Sequence, residues 1–225
     1  MKLFKRKSSL PKINWSDITI ARHKAILALY DKYKDNLDDP MFVYELTAAA
    51  YGKPMGWMDA MTISEANTYV NTLAFINQRP KVRVAKQSYV LNGHKYNVTY
   101  NMQNLTTSQY IDFQQLAEQS QEMPAEFLSV LLIPNGHKYN DGYSIDDVVY
   151  DIENYMSVED CLALTAFFFT LLRISIRRSM RALATLEKKA RKEGLMTKEQ
   201  LESLTKVRSL LESVNGLKRW TQYQI

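Results

Sequence analysis

The chain has 225 residues, 46% hydrophobic and 24% charged, with a formal net charge of +5. That balance belongs to a globular chain and excludes a disordered or low-complexity one. A lone cysteine, Cys161, excludes an internal disulfide, and the longest apolar run, Cys161 to Leu172, is shorter than the roughly 20 residues of a membrane span. The basic start, Met1-Lys2-Leu3-Phe4-Lys5-Arg6-Lys7, leads into no apolar run of signal-peptide length, so a soluble protein made in a cytoplasm is expected, with no membrane partner.

Charge is unevenly placed. Residues 171–225 carry 13 Lys+Arg against 5 Asp+Glu, whereas residues 1–170 carry 16 against 19. The stretch 141–160 holds seven acids and no base. An acidic body with a basic C-terminal extension can pack against copies of itself or against a partner of opposite charge.

In chain order, residues 1–13 read as an N-terminal arm closed by Pro11. A first helix is expected from Ser16 or Asp17, with Ile20, Leu27 and Tyr30 on one face. Asp38-Asp39-Pro40 signals a second helix, carrying Phe42, Leu46 and Ala49 to a stop at Gly52. Thr62-x-x-Glu65 is a capping box for a third, reaching Phe75 and ending before Arg79-Pro80. Residues 81–100 change character: Val82, Val84, Tyr89 and Val90 precede Asn92-Gly93, and Tyr96, Val98 and Tyr100 follow, the pattern of a β-hairpin.

Helical signals then resume. Thr106 or Thr107 caps a helix with Tyr110, Phe113 and Leu116 on one face. Pro124 opens another through Phe127, Leu131 and Leu132 that Pro134 ends. Ser144 caps an acidic helix with Ile145, Val148, Val149 and Ile152. Ser157-x-x-Asp160 begins a long helix expected to reach Lys192, roughly 50 Å at 1.5 Å per residue. Thr197-x-x-Gln200 caps a last helix, which Asn215-Gly216 stops.

Two stretches look like one helical unit written twice. Asn14-Trp15-Ser16-Asp17-Ile18-Thr19 is answered 87 residues later by Asn101-Met102-Gln103-Asn104-Leu105-Thr106. Met61-Thr62-Ile63-Ser64-Glu65 is answered by Met156-Ser157-Val158-Glu159-Asp160. The expected fold is therefore mainly α. Two related three-helix units, 14–80 and 101–172, flank a small hairpin at 81–100, and a basic helical extension follows at 173–225.

One hexapeptide occurs twice without change, as Asn92-Gly93-His94-Lys95-Tyr96-Asn97 and Asn135-Gly136-His137-Lys138-Tyr139-Asn140. It reads as two surface turns with His and Lys on their tips. The alternative is a paired site in which both copies face one metal or anion, but a zinc site needs three or four ligands and only His23 remains. Asp38-Asp39 and Asp146-Asp147 sit at helix starts, and adjacent residues do not face each other on a helix, so they read as capping charges rather than an acid–base pair. No nucleophile elbow, Walker loop, dinucleotide fingerprint or His-Glu-x-x-His occurs. The chain is thus expected to be no enzyme and to need no cofactor.

The features left for binding are two. Arg173, Arg177 and Arg181 recur every fourth residue and so line one helix face, joined by Arg178, Lys188, Lys189, Arg191 and Lys192. Such a stripe fits a solvated face, an acidic protein surface or DNA phosphates. The tail, with Trp220, Tyr223 and Ile225, fits an anchor in a neighbour's pocket or a segment folded back on its own body.

The succession is Ile18-Thr19, Asp38-Asp39, and Met61-x-Ile63-Ser64-Glu65 with Phe75-Ile76-Asn77. The pair around Asn92-Gly93 follows, then Leu105-Thr106-x-x-Gln109-Tyr110-Ile111-Asp112-Phe113 and Leu131-x-Ile133-Pro134-x-Gly136-x-x-Tyr139. Met156-Ser157 leading to Phe167-Phe168-Phe169 completes it. This succession resembles a group of tailed-bacteriophage structural-module proteins, notably of crAss-like phages of gut Bacteroides. The resemblance spans about residues 14–175, and the extension from Arg173 to Ile225 departs from the short form of that group. It implies a virion, cargo or tail-assembly protein, in or near the tail or the head–tail junction. Its partners would be other phage structural proteins, further copies of itself and, through the basic helix, packaged DNA. An assembly chaperone that leaves before the virion is complete, or a DNA-binding protein, are the alternatives. The resemblance brings no catalytic residues.

Overall fold

The computed structural model describes residues 12–101, 104–117 and 124–193. The fold is mainly α with a small antiparallel sheet. The helices are α1 (Ile20–Lys32), α2 (Pro40–Tyr51), α3 (Ile63–Val70), α4 (Thr107–Ala117), α5 (Pro124–Ser129), α6 (Ile145–Tyr155) and α7 (Val158–Glu193). The strands are β1 (Ser88–Leu91), β2 (His94–Val98) and β3 (Leu132–Pro134), in the order β1-β2-β3. Among the described residues, one compact unit takes in those from 12 to 99 together with those from 106 to 164, and a second takes in those from 100 to 105 with those from 165 to 193. Residues 1–11 of the expected arm and the expected last helix from Thr197 lie outside the described residues.

Local chemistry sets the helix ends. The first helix starts at Ile20 rather than at Ser16 or Asp17, because Thr19 is its cap and takes the Arg22 amide. Asn14, Ser16 and Asp17 instead close a preceding turn on themselves: Asn14 Oδ1 accepts from the Ser16 amide and Asp17 Oδ2 from the Asn14 amide. Asp39 caps α2 with Pro40 behind it, and Gly52 ends that helix at φ +62°. A Cβ at Gly52 would also lie 2.6 Å from Arg22 Nε. The capping box at Thr62 and Glu65 is complete in both directions. A second one forms at Thr106 and Gln109, where each residue accepts from the other's amide. At α7, Ser157 caps the Asp160 amide, but Asp160 turns its carboxylate to Lys86 instead of completing the box.

Two other expectations change. α3 is α-helical only to Val70 and continues as a 3-10 turn over Asn71–Asn77. The helix opened by Pro124 ends at Ser129, and Leu132–Pro134 is a third strand. The sequence pattern there is a continuous apolar run, which periodicity cannot divide into helix and strand. Asn97 and Val98 decide it by pairing with Ile133 and Leu132.

The core of the first unit gathers Trp15, Ile18, Ile26, Leu29, Phe42, Leu46, Ala50, Leu73 and Val158. The starts of α1 and α7 are stitched there by two backbone bonds, Ile20 amide to Met156 carbonyl at 3.2 Å and Val158 amide to Ile18 carbonyl at 2.8 Å. Trp15 donates its indole N–H to the Gln78 carbonyl at 2.6 Å, closing the chain back on α1. Elsewhere in this unit α5 packs on α4 and α6, with the Phe113 and Phe127 ring centroids 5.2 Å apart. In the second unit Tyr100 meets Phe167 edge-on at 4.9 Å. Among the described residues no helix is long and apolar enough to cross a membrane.

Ile18 has no solvent exposure and lies at the stitch between α1 and α7. Ile18→Ala is expected to destabilise the chain by about 3 kcal/mol, the ordinary cost of a buried aliphatic truncation. Urea unfolding followed by circular dichroism measures it, and a loss under about 1 kcal/mol would show that the stitch contributes little.

Candidate functional site

The repeated hexapeptide builds the most densely bonded polar region of the described chain, and the two copies do different work. In the first copy Asn92 and Gly93 both take positive φ, +50° and +79°, and form the two-residue turn between β1 and β2. Period-two alternation then puts His94 and Tyr96 on one face of β2. That face meets α6, where helical spacing places Asp151 among the buried Val148 and Ile152.

Three side chains of the hairpin converge on the Asp151 carboxylate. Tyr96 donates its hydroxyl to Oδ2 at 2.6 Å, His94 Nδ1 lies 3.0 Å from Oδ2, and Asn92 Nδ2 donates to Oδ1 at 3.1 Å. Burial by itself would raise the Asp151 pKa. The bonds from Tyr96, His94 and Asn92 and the charge of His94 outweigh it and hold the carboxyl below its ordinary value of 3.8. Tyr96 is pushed far above the usual phenol range, first by burial and then by the carboxylate it serves.

The second copy follows β3. The His137 amide donates to the Pro134 carbonyl at 3.1 Å, and Gly136 supplies φ +88° while Asn135 keeps an ordinary φ. This is a type II arrangement, where the first copy used both residues at positive φ. His137 Nδ1 contacts its own loop, 3.0 Å from the Asp141 carbonyl oxygen. Tyr139 donates to Asp112 Oδ2 on α4 at 2.7 Å, and burial followed by that carboxylate raises its pKa strongly. Both copies therefore send their tyrosine to an aspartate on a neighbouring helix.

β3 lays the copies side by side. The Asn135 amide donates to the Lys95 carbonyl at 2.8 Å, and Asn97 Nδ2 donates to Asn135 Oδ1 at 3.0 Å. Yet each histidine is turned to its own partner, and among the described residues no group of three His, Cys, Asp or Glu is placed to hold a metal ion. Lys95 and Lys138 are exposed at the two turns. The role of Asp151 was open to inspection in the sequence, since it is the acid that helical spacing sets on the apolar stripe of α6. The pairing of Tyr139 with Asp112 carried no such signal.

A run of basic residues lies on α7. Arg173, Arg177, Arg178, Arg181, Lys188 and Lys189 are all exposed. At 3.6 residues per turn, Arg173, Arg177, Arg181 and Lys188 fall within about 80° of arc and span about 22 Å of axis. Arg178 and Lys189 form a second row beside them. None of the six makes an ion pair with another described residue. Arg191 and Lys192 continue the helix, but their side chains lie outside the described residues, as do Trp220, Tyr223 and Ile225. The acids Asp146 and Asp147 stand in the first turn of α6, where they favour its positive end and Ser144 caps the Asp147 amide.

No family model, curated protein or solved structure matches this chain.

A carboxyl whose pKa is lower folded than unfolded contributes stability that is fully present above the unfolded value and lost as pH falls through the folded one. Asp151→Asn is therefore expected to cost about 1–3 kcal/mol at neutral pH. The gap between wild type and variant should close as pH drops below 3.8. Chemical unfolding of both proteins across that range measures it, and a gap that stays constant would show that the charge of Asp151 contributes nothing.

Proposed function

We propose that this chain is a non-enzymatic structural or assembly protein of a tailed bacteriophage. It would be made in the host cytoplasm and retained in the virion, in or near the tail or the head–tail junction. It works by contact with other phage structural proteins and with further copies of itself, and it uses no cofactor. The observation that carries this reading is the disposition of charge. Several carboxylates of the body serve internal bonds, as Asp151 does for Asn92, His94 and Tyr96, Asp112 for Tyr139, Glu45 for Lys32 and Asp160 for Lys86. The exposed cations of α7 face solvent along this 36-residue helix. A body stabilised by its own ionisable groups, together with a helix of exposed cations, suits docking rather than bond making. The resemblance of residues 14–175 to phage structural-module proteins supplies the setting.

The rows of α7 also favour a second reading, contact with packaged DNA. Four cations on one face over about 22 Å can lie along a duplex, whose backbone offers one phosphate charge per about 1.7 Å. Protein docking and DNA contact separate by experiment.

Mass spectrometry of purified virions is expected to find the chain as a particle component. Its absence from particles, with capture by a tail protein in infected cells, would instead mark it as an assembly chaperone. On the DNA reading, duplex affinity should fall steeply with salt, and replacing Arg173, Arg177, Arg181 and Lys188 by Glu should lower it by at least about a hundredfold at low salt. Unchanged affinity in that variant would exclude the stripe as a DNA surface.

A further inference from the structure

Between Glu65 and Asp112 the sequence holds no acidic residue, and between Lys138 and Arg173 it holds no basic one. Within the first unit these two segments already meet. Arg83 approaches Glu159 Oε2 to 2.8 Å, and Lys86 Nζ pairs with Asp160 Oδ2 at 2.9 Å. The first segment includes an extended strap, residues 79–87, without regular secondary structure. It is tied down along its length: Gln78 accepts from Trp15, Arg83 reaches Glu159, and the Gln87 carbonyl accepts from the Val98 amide at 3.1 Å.

The neighbours of Arg83 in this strap, Val82 and Val84, face solvent. They are 65% and 90% exposed. Arg79 and Lys81 precede them in the chain, exposed and without an ion pair to another described residue. Two outward valines on a pre-ordered strap edged by cations form a contact surface that lacks its other half. Little order would be lost when it is covered.

The geometry points to α6 of a second copy of this chain as the occupant. The outer face of α6 carries Tyr150, 56% exposed, with Asp146 and Asp147 one helical turn before it. An aromatic centre edged by two carboxylates complements two valines edged by two cations, and the charge pairing repeats between copies what Arg83–Glu159 and Lys86–Asp160 do within one. The surface uses none of the basic residues of α7, and the inference stands whether or not the phage setting holds.

Sedimentation velocity of the full chain tests it. Self-association is expected at about 0.05 M salt and should weaken at about 0.5 M. Reversing Arg79 and Lys81 to Glu, or Asp146 and Asp147 to Lys, should weaken it by about tenfold or more. Carrying both reversals in one chain should restore it. These positions are exposed, and circular dichroism verifies that each variant is folded. As a second measurement, a Val84→Cys chain mixed with a Tyr150→Cys chain, both carrying Cys161→Ser, should form the mixed disulfide dimer faster than either forms its own. A monomer at every concentration, association unmoved by the reversals, or no preferred mixed dimer would each overturn the proposal.

Discussion

A buried carboxylate has to be saturated with donors or neutralised by a proton, and Asp151 is saturated. Three side chains from one hairpin supply the donors, so the charge on α6 dictates where the sheet sits. The consequence runs outward. With Tyr96 fixed on Asp151, β2 presents Asn97 and Val98 to Ile133 and Leu132, and the apolar run after α5 is drawn out as a strand. That strand delivers Asn135 to Lys95 and sets the second hexapeptide beside the first. A short polar contact thus organises a region that helix packing alone would leave undetermined.

The same six residues adopt two turn types because their flanks differ. Between two strands in register, Asn92-Gly93 must match the twist of the hairpin, and both residues go to positive φ. Among the described residues no fourth strand follows β3, so Gly136 takes the left-handed position while Asn135 keeps an ordinary φ and pairs with Asn97 and Lys95. What the copies share is the tyrosine, each bonded to a helix aspartate. The repeat is accounted for by these anchoring roles, with the histidines held to separate partners.

Much of the fold was legible where a side chain acts on its own backbone. Asp39-Pro40, Gly52, Thr62-x-x-Glu65 and Asn92-Gly93 each specify a local geometry, and each appears as expected. Legibility failed where a distant partner decides. Leu132–Pro134 has no periodicity of its own and becomes a strand only because β2 is there to pair with it. Ser16 and Asp17 are good caps by type, but Asn14 captures them in a turn and leaves the cap to Thr19. The stripe on α7 was readable from spacing, and Arg173, Arg177, Arg178, Arg181, Lys188 and Lys189 are exposed there. The Asp151 hub was half visible, as an acid on an apolar face whose donors lie more than fifty residues away in sequence.

The functional reading depends on that hub being a structural charge and not a proton donor poised for chemistry. A general acid or base needs a pKa near the working pH, which for a carboxyl means a raised value. Asp151 has the histidine and tyrosine neighbours that a catalytic carboxyl would have, so its own titration separates the two cases. A carbon-detected NMR titration of the Asp151 carboxyl in the full chain is the direct measurement. The account predicts a midpoint below the ordinary 3.8; a midpoint raised toward neutrality would contradict it and reopen the hairpin–α6 contact as a reactive centre.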